Sequence, residues 1–213
     1  MNTTQFAKAL DILEEEYPKW QAPVLDLIAV NTHDPFRILI STIISLRTKD
    51  QVTTAASKKL YAIADTPEGI VTLSVAQIEK LIYPAGFYHN KARQIKDICQ
   101  ILIDHYNSQV PSTMEELLAF KGVGRKTANL VLALGFNIPA ICVDTHVHRI
   151  TNRLGYVQTK DPDKTEFALR EKLPEKYWLR INTLLVAFGQ TICNPIKPKC
   201  PQCRITGCPS RTC

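Results

Sequence analysis

Apolar side chains recur every three or four residues through almost all of this sequence, the spacing of helices that each bury one face. Phe36, Leu39, Ile40, Ile43 and Ile44 keep that rhythm behind Asp34-Pro35, an N-cap followed by proline at the first helical position. The same periodicity predicts helices over 3–16, 51–63, 74–82, 89–106, 113–119, 125–135, 145–154, 162–172 and 176–190. Asp65, Ser74, Ser112, Asp144 and Asp161 stand where caps or turn starters belong. Pro111, Pro139, Pro162 and Pro174 separate these stretches rather than interrupting them. No segment alternates apolar and polar residues long enough for a strand, so an all-α fold is expected. There is no glycine- or serine-rich linker and no internal repeat.

At 213 residues the chain is long enough for one large domain or two small ones with a real core. Its 45% hydrophobic and 22% charged content is that of a globular protein and sets aside a disordered or fibrous reading. No apolar run reaches the roughly 18–20 residues that span a bilayer. The start, Met1-Asn2-Thr3-Thr4-Gln5, lacks the basic-then-apolar order of a secretory signal, and Glu14, Glu15 and Glu16 follow soon after. A monomer in the cytoplasm or associated with the nucleoid is expected. The net charge of +6 hints at an anionic partner, and its distribution says more: Lys197, Lys199, Arg204 and Arg211 lie between Cys193 and Cys213 with no acid among them.

Seven cysteines in a chain without an export signal argue against a disulfide framework. Cys99 and Cys142 sit alone in apolar segments, as buried inert thiols do. Cys193, Cys200, Cys203 and Cys208 follow the spacing Cys-x6-Cys-x2-Cys-x4-Cys, a metal pattern that suits Zn²⁺ or a [4Fe–4S] cluster equally on chemistry alone. Cys213 is a reserve ligand. A ferredoxin-type carrier is disfavoured because the run Cys-x2-Cys-x2-Cys is absent.

The most informative segment runs from Met114 to Leu132. A short helix ends, Gly122 and Gly124 flank Val123, and a second helix begins at once. Glycines permit a close turn, which aims backbone N–H groups and the positive end of the new helix at one point suited to a phosphate. Val123 is placed to plug between the two helices. A glycine-capped turn between antiparallel helices has the same signature, but the donor-rich Arg125-Lys126-Thr127-Ala128-Asn129 that follows favours phosphate binding.

Lys126 falls in the first turn of that second helix beside Arg125. Burial, neighbouring positive charge and the helix dipole all push a lysine below its ordinary pKa of ~10.4. From position alone, a nucleophilic amine and a solvated lysine on a phosphate stand level. Asp144 precedes Thr145-His146-Val147-His148-Arg149 and reads as an N-cap, a role compatible with catalysis because capping fixes the carboxylate. His146 and His148 lie roughly 200° apart around a helix and cannot share a metal.

The run from Phe120 to Leu132 resembles the helix–hairpin–helix of the endonuclease III family of DNA glycosylases. Val143, Asp144, Thr145, His146 and Arg149 match that family's aspartate motif, and Lys126 matches its hairpin lysine. The cysteine pattern is near-identical to the family's [4Fe–4S] pattern, except that Arg204-Ile205-Thr206-Gly207 makes the last gap four residues where five is usual. The resemblance covers roughly residues 25–209.

It implies a helix–hairpin–helix glycosylase fold of two helical lobes, 25–135 and 1–24 plus 136–213, with the active site in the cleft between them. The partner implied is double-stranded DNA with damaged bases or abasic sites, and the activity a bifunctional glycosylase for oxidised pyrimidines. Lys126 would attack the sugar through a Schiff base with Asp144 assisting, then cut the strand by β-elimination. Gly122, Val123, Gly124, Arg125, Thr127 and His146 would contact DNA, joined by Lys197 and Lys199 of the cluster loop. Arg47 takes the place of a glutamine that fills the gap left by the flipped base, and Asp50 matches the aspartate after that loop. In a second loop, Gly86 to Ala92, Phe87 stands where a wedge leucine is usual, with Lys91 beside it as a further DNA contact. Two alternatives remain: a mismatch-type glycosylase of the same superfamily, and a non-catalytic helix–hairpin–helix protein with a structural metal. The mismatched-adenine relatives usually lack the hairpin lysine and carry an additional C-terminal domain.

Overall fold

The computed structural model describes residues 1–32 and 34–211, and it is helical throughout with no strand among them. The helices are α1 (Thr3–Glu16), α2 (Val24–Thr32), α3 (Pro35–Ser45), α4 (Asp50–Tyr61), α5 (Pro67–Thr72), α6 (Val75–Ile82), α7 (Tyr88–Tyr106), α8 (Met114–Ala119), α9 (Arg125–Phe136), α10 (Thr145–Arg153), α11 (Pro162–Lys172) and α12 (Trp178–Thr191). Short 3₁₀ turns follow α1 at Tyr17–Lys19, precede α12 at Glu175–Tyr177, and lie within the cysteine loop at Cys200–Gln202. No helix among the described residues is long and apolar enough to cross a membrane.

Local signals explain most of the boundaries. Asn2 and Ser74 form reciprocal capping boxes with Gln5 and Gln77. The side chains of Asp34, Asp144 and Asp161 accept from the first-turn amides of α3, α10 and α11. Two caps lie one residue beyond the expected positions. Thr66 rather than Asp65 caps α5, and the Asp65 carboxylate accepts a 2.7 Å bond from Arg37. Thr113 rather than Ser112 caps α8.

The chain divides into two compact units, one discontinuous (Met1–Pro23 with Ile138–Cys213) and one central (Val24–Asn137). In the central unit, α3 is enclosed on every side: Ile38, Leu39, Ile40, Ile43 and Ile44 are fully buried, as are Ser41 and Thr42. It packs chiefly on α9, while α5 and α6 pack on α7. The α3–α9 approach is close enough that a Cβ at Gly135 would lie 3.2 Å from Pro35, which accounts for a glycine inside a helix.

In the discontinuous unit, the core joins Phe6, Leu10 and Leu13 of α1 to Val147 and Ile150 of α10 and to Ile181, Leu185 and Phe188 of α12. Phe6 stacks on Tyr156 with ring centroids 4.0 Å apart, tying the two sequence-distant parts of this unit together. Gly189 lets α12 lie against α10: a Cβ there would collide with His146 Nδ1 and come within 2.9 Å of Arg149 Nη2.

Candidate nucleic-acid interface and catalytic residues

In the central unit, α8 ends at Ala119 and the hairpin turns through Gly122, whose φ of +80° is the left-handed region glycine enters freely. A Cβ at Gly122 would meet Gln94 Nε2 at 2.7 Å, and that same amide donates to Lys121 O at 3.1 Å, so α7 props the hairpin from behind. Gly124 is the N-cap of α9, supplies no side-chain cap, and has open space around it. The first turn of α9 holds no acid. The first helical bond is Ala128 N–H to Gly124 O, so the earlier amides lie at the helix mouth, the geometry that receives an anion.

Val123 is buried as the plug the sequence suggested. Thr127 is only 2% exposed, so its hydroxyl belongs to the interior, and its backbone amide, in the first turn of α9, is the group left to meet a phosphate. Lys126 is exposed at the second position of α9, so the burial foreseen for it is absent. Arg125 beside it is half-buried.

Two neighbouring loops of the same unit carry the side chains matched to a DNA wedge. Arg47 (φ 52°) and Phe87 (φ 59°) both adopt the left-handed conformation, uncommon and strained for residues with side chains. Both are exposed, and the Arg47 guanidinium carbon lies 5.5 Å from the Phe87 ring centroid. Lys91 differs from its expected role as a DNA contact. It is 5% exposed, and its ammonium donates to Ile44 O (2.7 Å), Leu46 O (2.6 Å) and Thr48 Oγ1 (2.9 Å). Burial draws its pKa down to about 8.

The discontinuous unit holds Asp144 at the N-cap of α10, half-buried, with Oδ1 accepting from His146 N at 2.8 Å and Val147 N at 2.9 Å. The two histidines that follow diverge: His146 Nδ1 meets Arg149 Nη2 at 3.1 Å, whereas His148 Nδ1 meets Thr165 Oγ1 of α11 at 2.7 Å. Arg149 also donates to Cys193 O at 2.9 Å. Arg153, which the sequence did not single out, donates to Asn194 O and Pro195 O at 2.7 Å each, with Cys193 Sγ at 3.5 Å. Two arginines one helical turn apart on α10 thus hold the start of the cysteine loop by its carbonyls. Only their i,i+4 spacing signalled this in the sequence.

Cys193, Cys200, Cys203 and Cys208 all line one apolar pocket walled by Leu154, Phe188, Ile192 and Ile205. The shortened last gap therefore leaves Cys208 facing the same space as the other three. Burial, reinforced by the neighbouring cysteines, pushes the Cys203 and Cys208 thiols above their usual range. Four converging sulfurs in an apolar setting fit a cationic metal centre, which stabilises thiolates there. No group of three or more His, Cys, Asp or Glu among the described residues is drawn together as a single-ion site. Cys213 lies outside the described residues.

The basic character of this loop is reduced at one position. Arg204 is paired with Glu16 (2.6 Å) and Glu15 (3.3 Å) of α1. Arg211 donates to Cys200 O at 3.0 Å and Ile205 O at 3.3 Å. Lys197 and Lys199 are exposed. Cys99 and Cys142 are both buried, and burial pushes the Cys99 thiol up to about 12.

Residues 40–175 match the family model described as HhH-GPD superfamily base excision DNA repair protein. Endonuclease III of Thermotoga maritima is 50% identical over 170 residues, covering 80% of each chain. A solved complex of endonuclease III trapped as a covalent intermediate with DNA superposes with a TM-score of 0.87 at 31% identity, covering 99% of this chain and 97% of that one. A non-covalent endonuclease III–DNA complex gives a TM-score of 0.88 at 32% identity, covering 99% and 96%.

Proposed function

The chain belongs to the endonuclease III family within the HhH-GPD superfamily of base excision DNA repair proteins, and from that premise we propose how its own residues carry the chemistry. It is a base-excision repair enzyme, a DNA glycosylase that also cleaves at abasic sites, and damaged duplex DNA is its partner. Its lesions are oxidised pyrimidines. The observation that carries the assignment of residues is a lysine in the first turn of an open helix mouth with no side-chain cap, in a chain that also holds a helix-capping aspartate in the family's motif.

The hairpin amides of α9 and Arg125 bind one strand's phosphates through charge and hydrogen bonding. The damaged nucleotide is rotated out of the duplex, because C1′ is unreachable within the stack. Arg47 and Phe87 occupy the gap it leaves, an aromatic and a guanidinium being suited to stack against bases. By the family's motif, Asp144 helps bring Lys126 to its neutral form and stabilises positive charge developing on the sugar. The Lys126 amine attacks C1′, the glycosidic bond breaks with its electron pair leaving on the base, and ring opening gives an iminium between Nζ and C1′. That iminium acidifies the 2′ hydrogen. Its removal expels the 3′ phosphate oxygen and cuts the strand.

Cys193, Cys200, Cys203 and Cys208 hold a [4Fe–4S] cluster, a reading supported by the donor set, its spacing and the shared apolar pocket. Bound there, the cluster would be a structural cross-link for the loop that presents Lys197 and Lys199, each adding salt-sensitive affinity for the DNA backbone.

Borohydride trapping on a duplex with one oxidised pyrimidine tests the reading. The wild-type chain forms a covalent adduct and Lys126→Ala forms none. An adduct that persists in Lys126→Ala refutes the nucleophile, and a wild-type chain that traps on no damaged or abasic duplex refutes the lyase activity.

A further inference from the structure

The ammonium of Lys91 is enclosed within the central unit, and among the described residues no carboxylate partners it. An ammonium has three N–H donors, and three oxygens take them: Ile44 O at the C-terminal end of α3, Leu46 O just beyond it, and Thr48 Oγ1. A positive charge at a helix C-terminus also complements the dipole there. The Thr48 hydroxyl is saturated in turn. It accepts from Lys91 and from Gly86 N–H (3.0 Å) and donates to Leu46 O (3.3 Å). Its oxygen is therefore a bridge between the loop after α3 and the loop before α7. The two backbones touch so closely that a Cβ at Gly86 would lie 2.5 Å from Arg47 O.

Arg47 and Phe87 project from the two loops joined in this way, both in the left-handed conformation and with their side chains facing across 5.5 Å. Strain of this kind persists only where the surroundings over-determine the backbone. We infer that Lys91 is a positioning residue for base extrusion, its ammonium and the Thr48 hydroxyl clamping two loops so that Arg47 and Phe87 are presented as one rigid wedge to the DNA stack. This rests on the wedge assignment above and gives Lys91 a role distinct from phosphate binding. The clamp acts before chemistry: it holds in advance an order that binding would otherwise have to impose, and small misplacements of such groups are costly.

The test compares wild type with Lys91→Met, which keeps the stem and removes the donors. Thr48→Val and Thr48→Ser form a second, independent pair. Three quantities are measured: single-turnover excision of an oxidised pyrimidine, single-turnover cleavage of a pre-formed abasic site, and the salt dependence of binding to undamaged duplex. Melting temperature and iron content report the integrity of each variant. Lys91→Met and Thr48→Val are expected to slow excision roughly ten- to hundredfold. Abasic cleavage, which has no base to extrude, changes by less than about threefold, and Thr48→Ser retains the wild-type excision rate. The salt slope stays at its wild-type value. A slope reduced by about 0.9 in Lys91→Met places the ammonium on a phosphate and overturns the clamp. Equal losses in both reactions show general destabilisation and overturn it as well, as does unchanged excision in Thr48→Val. Failure of the Lys126 assignment would appear separately, as trapping that survives Lys126→Ala.

Discussion

The proposed mechanism gives Asp144 a catalytic task beside its capping one, and a pair of substitutions separates them. Its Oδ1 caps α10 through the amides of His146 and Val147 at 2.8 and 2.9 Å. Asparagine caps a helix about as well as aspartate, so Asp144→Asn keeps both bonds and loses only the favourable charge at the helix N-terminus, about 0.3–1 kcal/mol. Alanine removes the cap entirely, for a cost of about 0.5–2 kcal/mol. In a chain of this length, 1 kcal/mol shifts the melting temperature by roughly 2–4 °C. Asp144→Asn should therefore melt within a few degrees of wild type, and Asp144→Ala no higher than Asp144→Asn. On the proposed mechanism activity should not follow that order: both variants lose the carboxylate assigned to proton transfer, and both should slow single-turnover excision by about 10²–10⁴-fold. Thermal melts followed by circular dichroism, run beside single-turnover assays, read the two tasks independently. If Asp144→Asn excises within threefold of wild type, Asp144 is a helix cap and nothing more.

Cys208→Ser should lower the iron content and weaken the visible absorption of the purified chain, because four cysteines share one pocket; full iron occupancy in that variant would remove Cys208 from the ligand set. Gly189→Ala should destabilise the chain by about 1–3 kcal/mol, since the added carbon meets His146 and lies 2.9 Å from Arg149; an unchanged melting temperature would refute the tight α10–α12 approach. Replacing Lys197 and Lys199 together by glutamine should flatten the dependence of log affinity on log salt by about 1.8 if both contact phosphates, with no change if neither does. The pKa of Lys91, lowered to about 8, adds a pH effect. Between about pH 8 and pH 10.4 the folded chain has released a proton that the unfolded chain still binds, so this group's contribution to unfolding free energy rises with pH across that window. Denaturant titrations at pH 7, 8, 9 and 10 should show a rise in wild type relative to Lys91→Met, and parallel curves would contradict the buried charge.

The features written locally in the sequence proved legible. Asp34-Pro35, Ser74 and Asp161 announce their helices within three residues, and the hairpin, the Asp144 motif and the cysteine spacing are each contiguous enough to read directly. What escaped depends on contacts distant along the chain or on segments too short to show a period. Helix α5 has only six residues, and α2 presents an apolar run whose periodicity does not separate helix from strand. Lysines are so rarely enclosed that nothing in Asn90-Lys91-Ala92 distinguished a clamp from a phosphate contact, and the deciding acceptors lie more than forty residues earlier. Arg204 looked like part of a basic surface until α1 supplied two glutamates from the far end of the chain. Thr127 followed the donor-rich pattern of its neighbours, yet the helical phase of α9 turned its hydroxyl inward.

The discontinuous unit bears on the order in which the protein is made. Phe6 stacks on Tyr156, and α1 shares its core with α10 and α12, so α1 meets the helices it packs against only after the whole central unit has been synthesised. The central unit, contiguous from Val24 to Asn137, can consolidate during that interval, as domains generally fold as units. The last of the four pocket thiols, Cys208, emerges later still. A metal held by all four cysteines could be bound only once Cys208 has emerged, and a nascent chain interrupted before that point would carry an assembled hairpin and an α1 still without α10 and α12, the state in which chaperones would meet it.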